Sequence, residues 1–276
     1  MLREFFRQQL GLPPVYSETG AQVDSLIIYV HYLMVALFVG WGIFFIYTLI
    51  RFNRRSHPKA DYVGVRTHAS SWLEGIVAGI EAVLLIGFAV PMWMHNVDHY
   101  PDPKNALNLK VVAQQFNWNV FYPGSDGVFG KQDMKLISND NPWGMDPADP
   151  SGKDDFAPLN NEIHVPVDKD VIIELTSKDV IHSFKVISMR VAQDAIPGLK
   201  IPLHFKATKV GVYQINCAQL CGSGHSGMAG GKLYVDTQAD YDKWFAAKVK
   251  AAADAAAAAA PKAQADTAKP AGGGAS

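Results

Sequence analysis

The chain has 276 residues, 49% of them hydrophobic, with 25 basic side chains against 26 acidic ones and two cysteines. A net charge of -1 argues against a nucleic-acid binder, which normally carries a basic excess, and two cysteines exclude a disulfide-rich secreted scaffold. The mean hydropathy of +0.02 is high for a soluble protein, and it originates in one part of the sequence.

Residues 1–24 contain no continuous apolar stretch that would serve as a cleavable leader, so the first span is expected to direct its own insertion. Segment 25–50 has no Asp, Glu, Lys or Arg in 26 residues, and only His31 as a titratable group. As a helix rising about 1.5 Å per residue it reaches about 39 Å, more than the ~30 Å hydrocarbon core of a bilayer. Segment 75–94 adds 20 residues with one charge, Glu81. An intramembrane carboxylate is expected to face a partner or a pathway. The alternative for both segments is a helical hairpin buried in a soluble protein; two transmembrane helices, 25–50 and 74–95, are the reading adopted. The connector 51–73 holds Arg51, Arg54, Arg55, Lys59 and Arg66 against Asp61, whereas residues 1–24 hold only Arg3 and Arg7 as basic side chains. The positive-inside rule puts the connector in the cytoplasm and both termini outside.

Over 96–248 the statistics become those of a β domain. Runs rich in β-branched and aromatic residues recur at 108–113, 118–122, 162–165, 171–176, 182–186, 204–207, 211–216 and 232–235, which suggests a sandwich or barrel. The interval 123–161 is too long for a hairpin turn and is crowded with Gly, Pro, Asn and Asp. Between 126 and 162 stand eight acids and three lysines. A solvated loop is the plain reading, and a docking face for a basic partner is the sharper one. Residues 249–276 read as a partly helical or disordered tail without chemistry, since 251–260 are nine alanines and one aspartate.

The chemistry concentrates after the seventh run, where Cys217, Cys221, His225 and Met228 are spaced Cys-x3-Cys-x3-His-x2-Met. Thiolate with imidazole selects copper or zinc over magnesium or calcium, and a thioether favours copper. Gly222, Gly224 and Gly227 let the backbone wrap tightly enough to converge four donors. Other readings stay open on the residues alone. Two nearby cysteines can pair in an oxidising compartment. Zinc would need a fourth ligand in place of methionine, for which His182 is available, and a single-cysteine blue-copper site leaves the second thiol without a role.

Together with Val180-Ile181-His182-Ser183-Phe184, this loop resembles the binuclear copper (CuA) signature of subunit II of haem-copper cytochrome c oxidases. The likeness of layout covers about residues 20–248. It implies a two-helix transmembrane hairpin followed by an all-β cupredoxin-like (Greek-key) extracytoplasmic domain. It implies two copper ions bridged by Cys217 and Cys221, each with one histidine, His182 or His225. Met228 would be the weak ligand of one copper, and the backbone carbonyl of Gln219 would serve the other. The resemblance further implies a bacterial cytoplasmic-membrane complex with subunit I and subunit III. In it, electrons pass from cytochrome c or a similar donor to haem in subunit I, and O2 is reduced to water with proton pumping. No Cys-x-x-Cys-His occurs, so the donor must be a separate protein.

Asp179 and Asp194 match acidic positions of the family and read equally as turn residues. Glu74 resembles the carboxylate at the cytoplasmic mouth of a proton channel, and Ser71-Trp72-Leu73-Glu74 also reads as a capping box. Phe116 stands where the family has the surface tryptophan that first receives the electron, while Trp118 is the other candidate or plain core. Gln219 replaces a glutamate that helps hold magnesium, and a neutral amide is a poorer ligand for a hard cation, which weakens the case for that ion. No general base or open substrate position accompanies the loop, so the chain by itself is expected to carry electrons and catalyse nothing. Two other functions compete. For a membrane-anchored copper chaperone, Met228, the second histidine and the second span are surplus; subunit II of a quinol oxidase has the same layout without the copper.

Overall fold

The computed structural model describes residues 2–60, 62–64, 66–139, 141–158 and 161–259. A short helix, α1 (Leu2–Gln9), precedes α2 (Gly20–Arg51). A second long helical stretch consists of α3 (Ala69–Leu84), a π turn (Leu85–Ala89) and α4 (Val90–Asp98). The π turn has a local cause. Pro91 has no N–H and its ring presses on the preceding turn, so the helix widens and the Val90 N–H bonds to the Leu85 carbonyl. Both stretches run beyond 25–50 and 74–95. The Ser71–Glu74 capping box does not form, because the helix already starts at Ala69, with His68 as N-cap and no side-chain cap bond. Along both, large apolar side chains such as Phe38, Ile43, Ile50 and Ile86 stand exposed, a surface that only lipid or apolar protein can cover.

The outer end of α2 is buried, at Asp24 and Ile28. The segment before it is sewn onto the β domain. The N–H groups of Tyr16 and Glu18 donate to the carbonyls of Ser188 (2.8 Å) and Lys206 (3.1 Å), and the Thr208 N–H donates to Tyr16 (2.8 Å). Arg190 donates to both Asp24 carboxylate oxygens, at 2.6 and 3.1 Å, and to the Pro13 carbonyl at 2.6 Å.

The β domain has two sheets. One has the order β2 (Asn117–Phe121), β1 (Leu107–Gln114), β4 (Asp170–Ser177), β7 (Ile201–Lys206). The other has the order β3 (Glu162–Pro166), β9 (Gly231–Asp236), β8 (Gly211–Cys217), β5 (His182–Val186), β6 (Val191–Ala195). Alternation does the sorting: Val171, Ile173 and Leu175 of β4 face inward and meet Ile163, Phe184, Ile215 and Leu233 in one core. Eight strands fall on the expected runs. The ninth, β6, has Ala192, Gln193 and Asp194 in its middle, which are poor strand formers, and it exists because it pairs with β5 from His182↔Ala195 to Val186↔Val191.

One boundary differs from expectation, and one expected loop has internal structure. Helix α5 (Gln238–Ala259) crosses the expected boundary at 248/249, because Tyr241, Trp244, Phe245, Val249 and Ala252 pack on the core and anchor it where alanine alone would not. The rest of the tail, 260–276, lies outside the described residues. The acidic loop 123–161 is built by its acids. Asp155 accepts the Gly124 and Gly130 N–H groups at 2.9 and 2.8 Å, Asp154 the Ser125 N–H and hydroxyl, and Asp149 the Lys131 N–H. Burial first of all, against those two N–H bonds, raises the Asp155 carboxyl above the ordinary carboxylate value.

Candidate metal centre

Antiparallel pairing of β5 with β8 sets Cys217, the last residue of β8, opposite Phe184, and so brings it diagonally to His182, the first residue of β5. The loop from Ala218 is then tied down at three points. The Ala218 N–H donates to the Ser183 carbonyl (2.9 Å), Gln115 Nε2 to the Cys221 carbonyl (2.6 Å) and the Trp118 indole N–H to the Met228 carbonyl (3.1 Å). A 3-10 turn over His225–Gly230 brings His225 and Met228 back to the thiols.

The donors gather around the cysteine pair. Cys217 Sγ lies 3.9 Å from Cys221 Sγ and 4.0 Å from His182 Nδ1. Met228 Sδ lies 3.1 Å from His182 Nδ1 and 3.4 Å from Cys221 Sγ. Cys221 Sγ is also 3.4 Å from His225 Nδ1, and Cys217 Sγ is 3.1 Å from the Gln219 carbonyl. The thiols are free, their separation being nearly twice a disulfide bond of about 2.05 Å. Atoms bonded to one ion at about 2.3 Å for sulfur and about 2.0 Å for nitrogen can be at most about 4.6 Å apart for S···S and about 4.3 Å for S···N. Every contact above falls inside those limits. The set of two thiols, two imidazoles, a thioether and a carbonyl therefore fits soft-metal chemistry, and the thioether fits copper better than zinc.

Burial, with Cys217 alongside, pushes the Cys221 thiol up to about 11. Two adjacent thiolates thus need a cation to exist at neutral pH. His182 is fully buried, and its Nε2 lies 2.9 Å from Asp179 Oδ1, which leaves Nδ1 facing the sulfurs. Burial acts to raise the Asp179 carboxyl, but hydrogen bonds from the Gln115 N–H, His182 and the Val180 N–H outweigh it and hold the group below the ordinary value. This is the carboxylate–imidazole pairing that orients a metal ligand.

Asp194 is neither in a turn nor beside the sulfurs: it lies in β6 opposite Ser183. Phe116 is half-buried and lies over the loop, so that a Cβ at Gly224 would collide with its ring. Trp118 is 1% exposed, packs edge-on to Phe184 and His182, and lies beneath the centre rather than on the surface. Glu74 and Glu81 stand exposed on α3, apart from the cluster. Sequence reasoning missed Gln115, whose N–H and side chain touch Asp179 and Cys221, because an exposed glutamine gives no motif signal.

Fold and site together define a membrane-anchored cupredoxin-like domain with a cysteine–histidine–methionine cluster that could hold a metal ion. A family model described as cytochrome C oxidase subunit II, periplasmic domain, matches residues 107–230. The alternative cytochrome c oxidase subunit 2 of Bradyrhizobium diazoefficiens is 30% identical over 233 residues, 84% of this chain and 82% of that protein. Cytochrome c oxidase subunit 2 of Synechocystis sp. is 31% identical, covering 94% of this chain and 82% of its own length. The crystal structure of the periplasmic domain of subunit II of cytochrome oxidase of Bradyrhizobium japonicum is 26% identical, covering 55% of this chain and 99% of that one, at a TM-score of 0.41. The chain belongs to the cytochrome c oxidase subunit 2 family, and so to an oxidoreductase complex. Family membership implies copper and electron transport, and favours neither the chaperone nor the quinol oxidase reading.

Proposed function

We propose that this chain accepts electrons from cytochrome c or a similar donor at a binuclear copper centre and passes them to haem in subunit I, for reduction of O2 coupled to proton pumping. The observation that carries the reading is the six-donor cluster, in which His182 and Met228 touch each other beside the thiols, His225 touches Cys221, and the Gln219 carbonyl touches Cys217. Two copper ions sharing two thiolates spread one electron over both, so oxidation alters each bond little. The chain's own part is to hold the donors still. Cys217 and Cys221 would hold both ions with their thiolates, His182 and His225 would each supply one imidazole, and Met228 and the Gln219 carbonyl would supply the weaker donors. Asp179 orients His182, and β5, β8 and the Trp118 bond to Met228 keep the loop from relaxing when charge changes.

Phe116, over the loop, is the candidate surface for the incoming electron. Glu74 is the candidate proton-path carboxylate, and subunits I and III are the expected partners. Segments 25–50 and 74–95 span the bacterial cytoplasmic membrane, with the connector 51–73 inside and both termini and domain 96–248 on the outer side. The hydrogen bonds that join Tyr16 and Glu18 to the β domain support that orientation. Copper content and spectroscopy on the purified protein test the reading. Two coppers per chain with a purple mixed-valence signal are expected, whereas one colourless Cu(I) would favour a chaperone and refute it. Cys217→Ser should abolish the signal. Gln219→Ala should leave the copper in place, and its loss would show that more than the backbone carbonyl is used.

A further inference from the structure

Where α4 meets the β domain, a cavity of about 310 Å³ is lined by His95, His99 and His204, with Glu18, Asp170 and Lys206 on its wall. We propose that the three histidines form a second metal site, for a divalent d-block cation such as zinc, separate from the copper centre and at the end of the second membrane span. His95 and His99 are one helical turn apart, on the same face, and their ring centres are 5.6 Å apart at an interplanar angle of 34°. An imidazole bound at about 2.0 Å has its ring centre about 3.2 Å from the metal. Two rings on one ion at tetrahedral to trigonal angles therefore have centres about 5.2–5.5 Å apart. At 5.6 Å the pair stands just beyond that range, so a small side-chain adjustment brings it to the required spacing.

The hydrogen bonds of the other two rings set which nitrogen is free. A backbone carbonyl accepts only from an N–H. The 2.7 Å contact of His204 Nε2 with the Asn96 carbonyl therefore places the proton on Nε2 and the lone pair on Nδ1. His99 Nδ1 lies 3.4 Å from the Met94 carbonyl in the same sense, leaving Nε2 for a ligand bond. An imidazole that donates one N–H to a carbonyl and offers the other nitrogen is the arrangement that orients metal ligands. Glu18 and Asp170 share the single ammonium of Lys206, at 3.3 and 3.6 Å, so the wall carries a net negative charge that attracts a cation. Among the described residues only His182, Cys217 and Cys221 have three ligand atoms within 4.8 Å of one another. The pair His95 and His99 is thus the nearer part, and His204 joins it by giving up its bond to the Asn96 carbonyl, with water completing the shell. A cation held there ties the end of α4 to β7.

The test uses the purified oxidase complex containing this chain, stripped with a mild chelator and dialysed against micromolar zinc, with zinc and copper both counted by plasma emission. The wild type is expected to hold one zinc more than His95→Gln/His99→Gln at equal copper. His204→Gln should weaken binding by at least the roughly 10-fold that loss of even an outer partner costs a metal site. Equal zinc in wild type and double variant overturns the proposal. Should the double variant fail to assemble, the wild type answers alone: zinc must protect His95 and His99 from diethylpyrocarbonate, and unchanged modification at both overturns it.

Discussion

Arg190 offers the sharpest quantitative test of how the β domain is held to the membrane helices. Its side chain is 9% exposed and that of Asp24 is 5% exposed, and two bonds join them at 2.6 and 3.1 Å. Arg190→Met removes both and also takes the donor at 2.6 Å from the Pro13 carbonyl. Removing one partner of a buried pair costs about 3–5 kcal/mol, because the other charge stays behind. Arg7, with Nε 3.9 Å from Asp24, offsets part of that, so about 3 kcal/mol is the expected loss. The loss falls on the docking of residues 13–24 and not on the sandwich core. At 1.4 kcal/mol per tenfold, docked amides should open roughly 100-fold more often. Hydrogen exchange of the Tyr16, Glu18 and Thr208 amides in the intact chain measures it. Asp24→Asn/Arg190→Met should exchange little faster than the single variants, since both remove one interaction. Unchanged exchange at those amides in Arg190→Met, or full additivity in the double variant, refutes the reasoning.

Three further outcomes follow from the same coordinates. Trp118→Phe removes the indole N–H from the buried Met228 carbonyl and should cost about 1–3 kcal/mol in unfolding free energy. The copper absorption bands should shift while copper content is kept; unaltered bands would show that this bond does not position Met228. Gly224→Ala sets a Cβ into the Phe116 ring and should lower copper occupancy at unchanged far-ultraviolet circular dichroism, checked by metal analysis. Asp155, whose carboxyl is raised by burial, binds its proton more tightly folded than unfolded, so its contribution to stability falls as pH rises through the carboxylate range to the raised value. Asp155→Asn should remove that slope in urea titrations. It should also cost about 1–3 kcal/mol, because one of the two N–H donors from Gly124 and Gly130 then faces an amide NH2.

Much of the molecule was legible because its signals are local. Long apolar runs with at most one charge mark helices fit to face lipid, and alternation of Val, Ile and Phe marks strands whose one face is buried, so eight strands were readable in advance. The metal loop was legible because four donors fall within twelve residues. β6 was not, since its reason to be a strand is its partner β5 and not its own residues. The acidic loop was legible only in part. Its net charge is visible in the sequence, but Asp155, Asp154 and Asp149 are engaged with backbone N–H groups, which only the folded chain reveals.

By itself the sequence determined composition-driven features: two apolar helices, a β domain and a cluster of soft-metal donors. These depend on hydrophobic periodicity and short spacing, which survive without knowledge of distant contacts. Tertiary structure decided the rest. It brought His182 to Cys217 across β5 and β8, set Asp179 on the far nitrogen of His182, hung Met228 from Trp118, and joined Asp24 to Arg190. The last two pairs are 110 and 166 residues apart in the chain, and closing such long loops is favourable only when many contacts form together, so no local pattern encodes them.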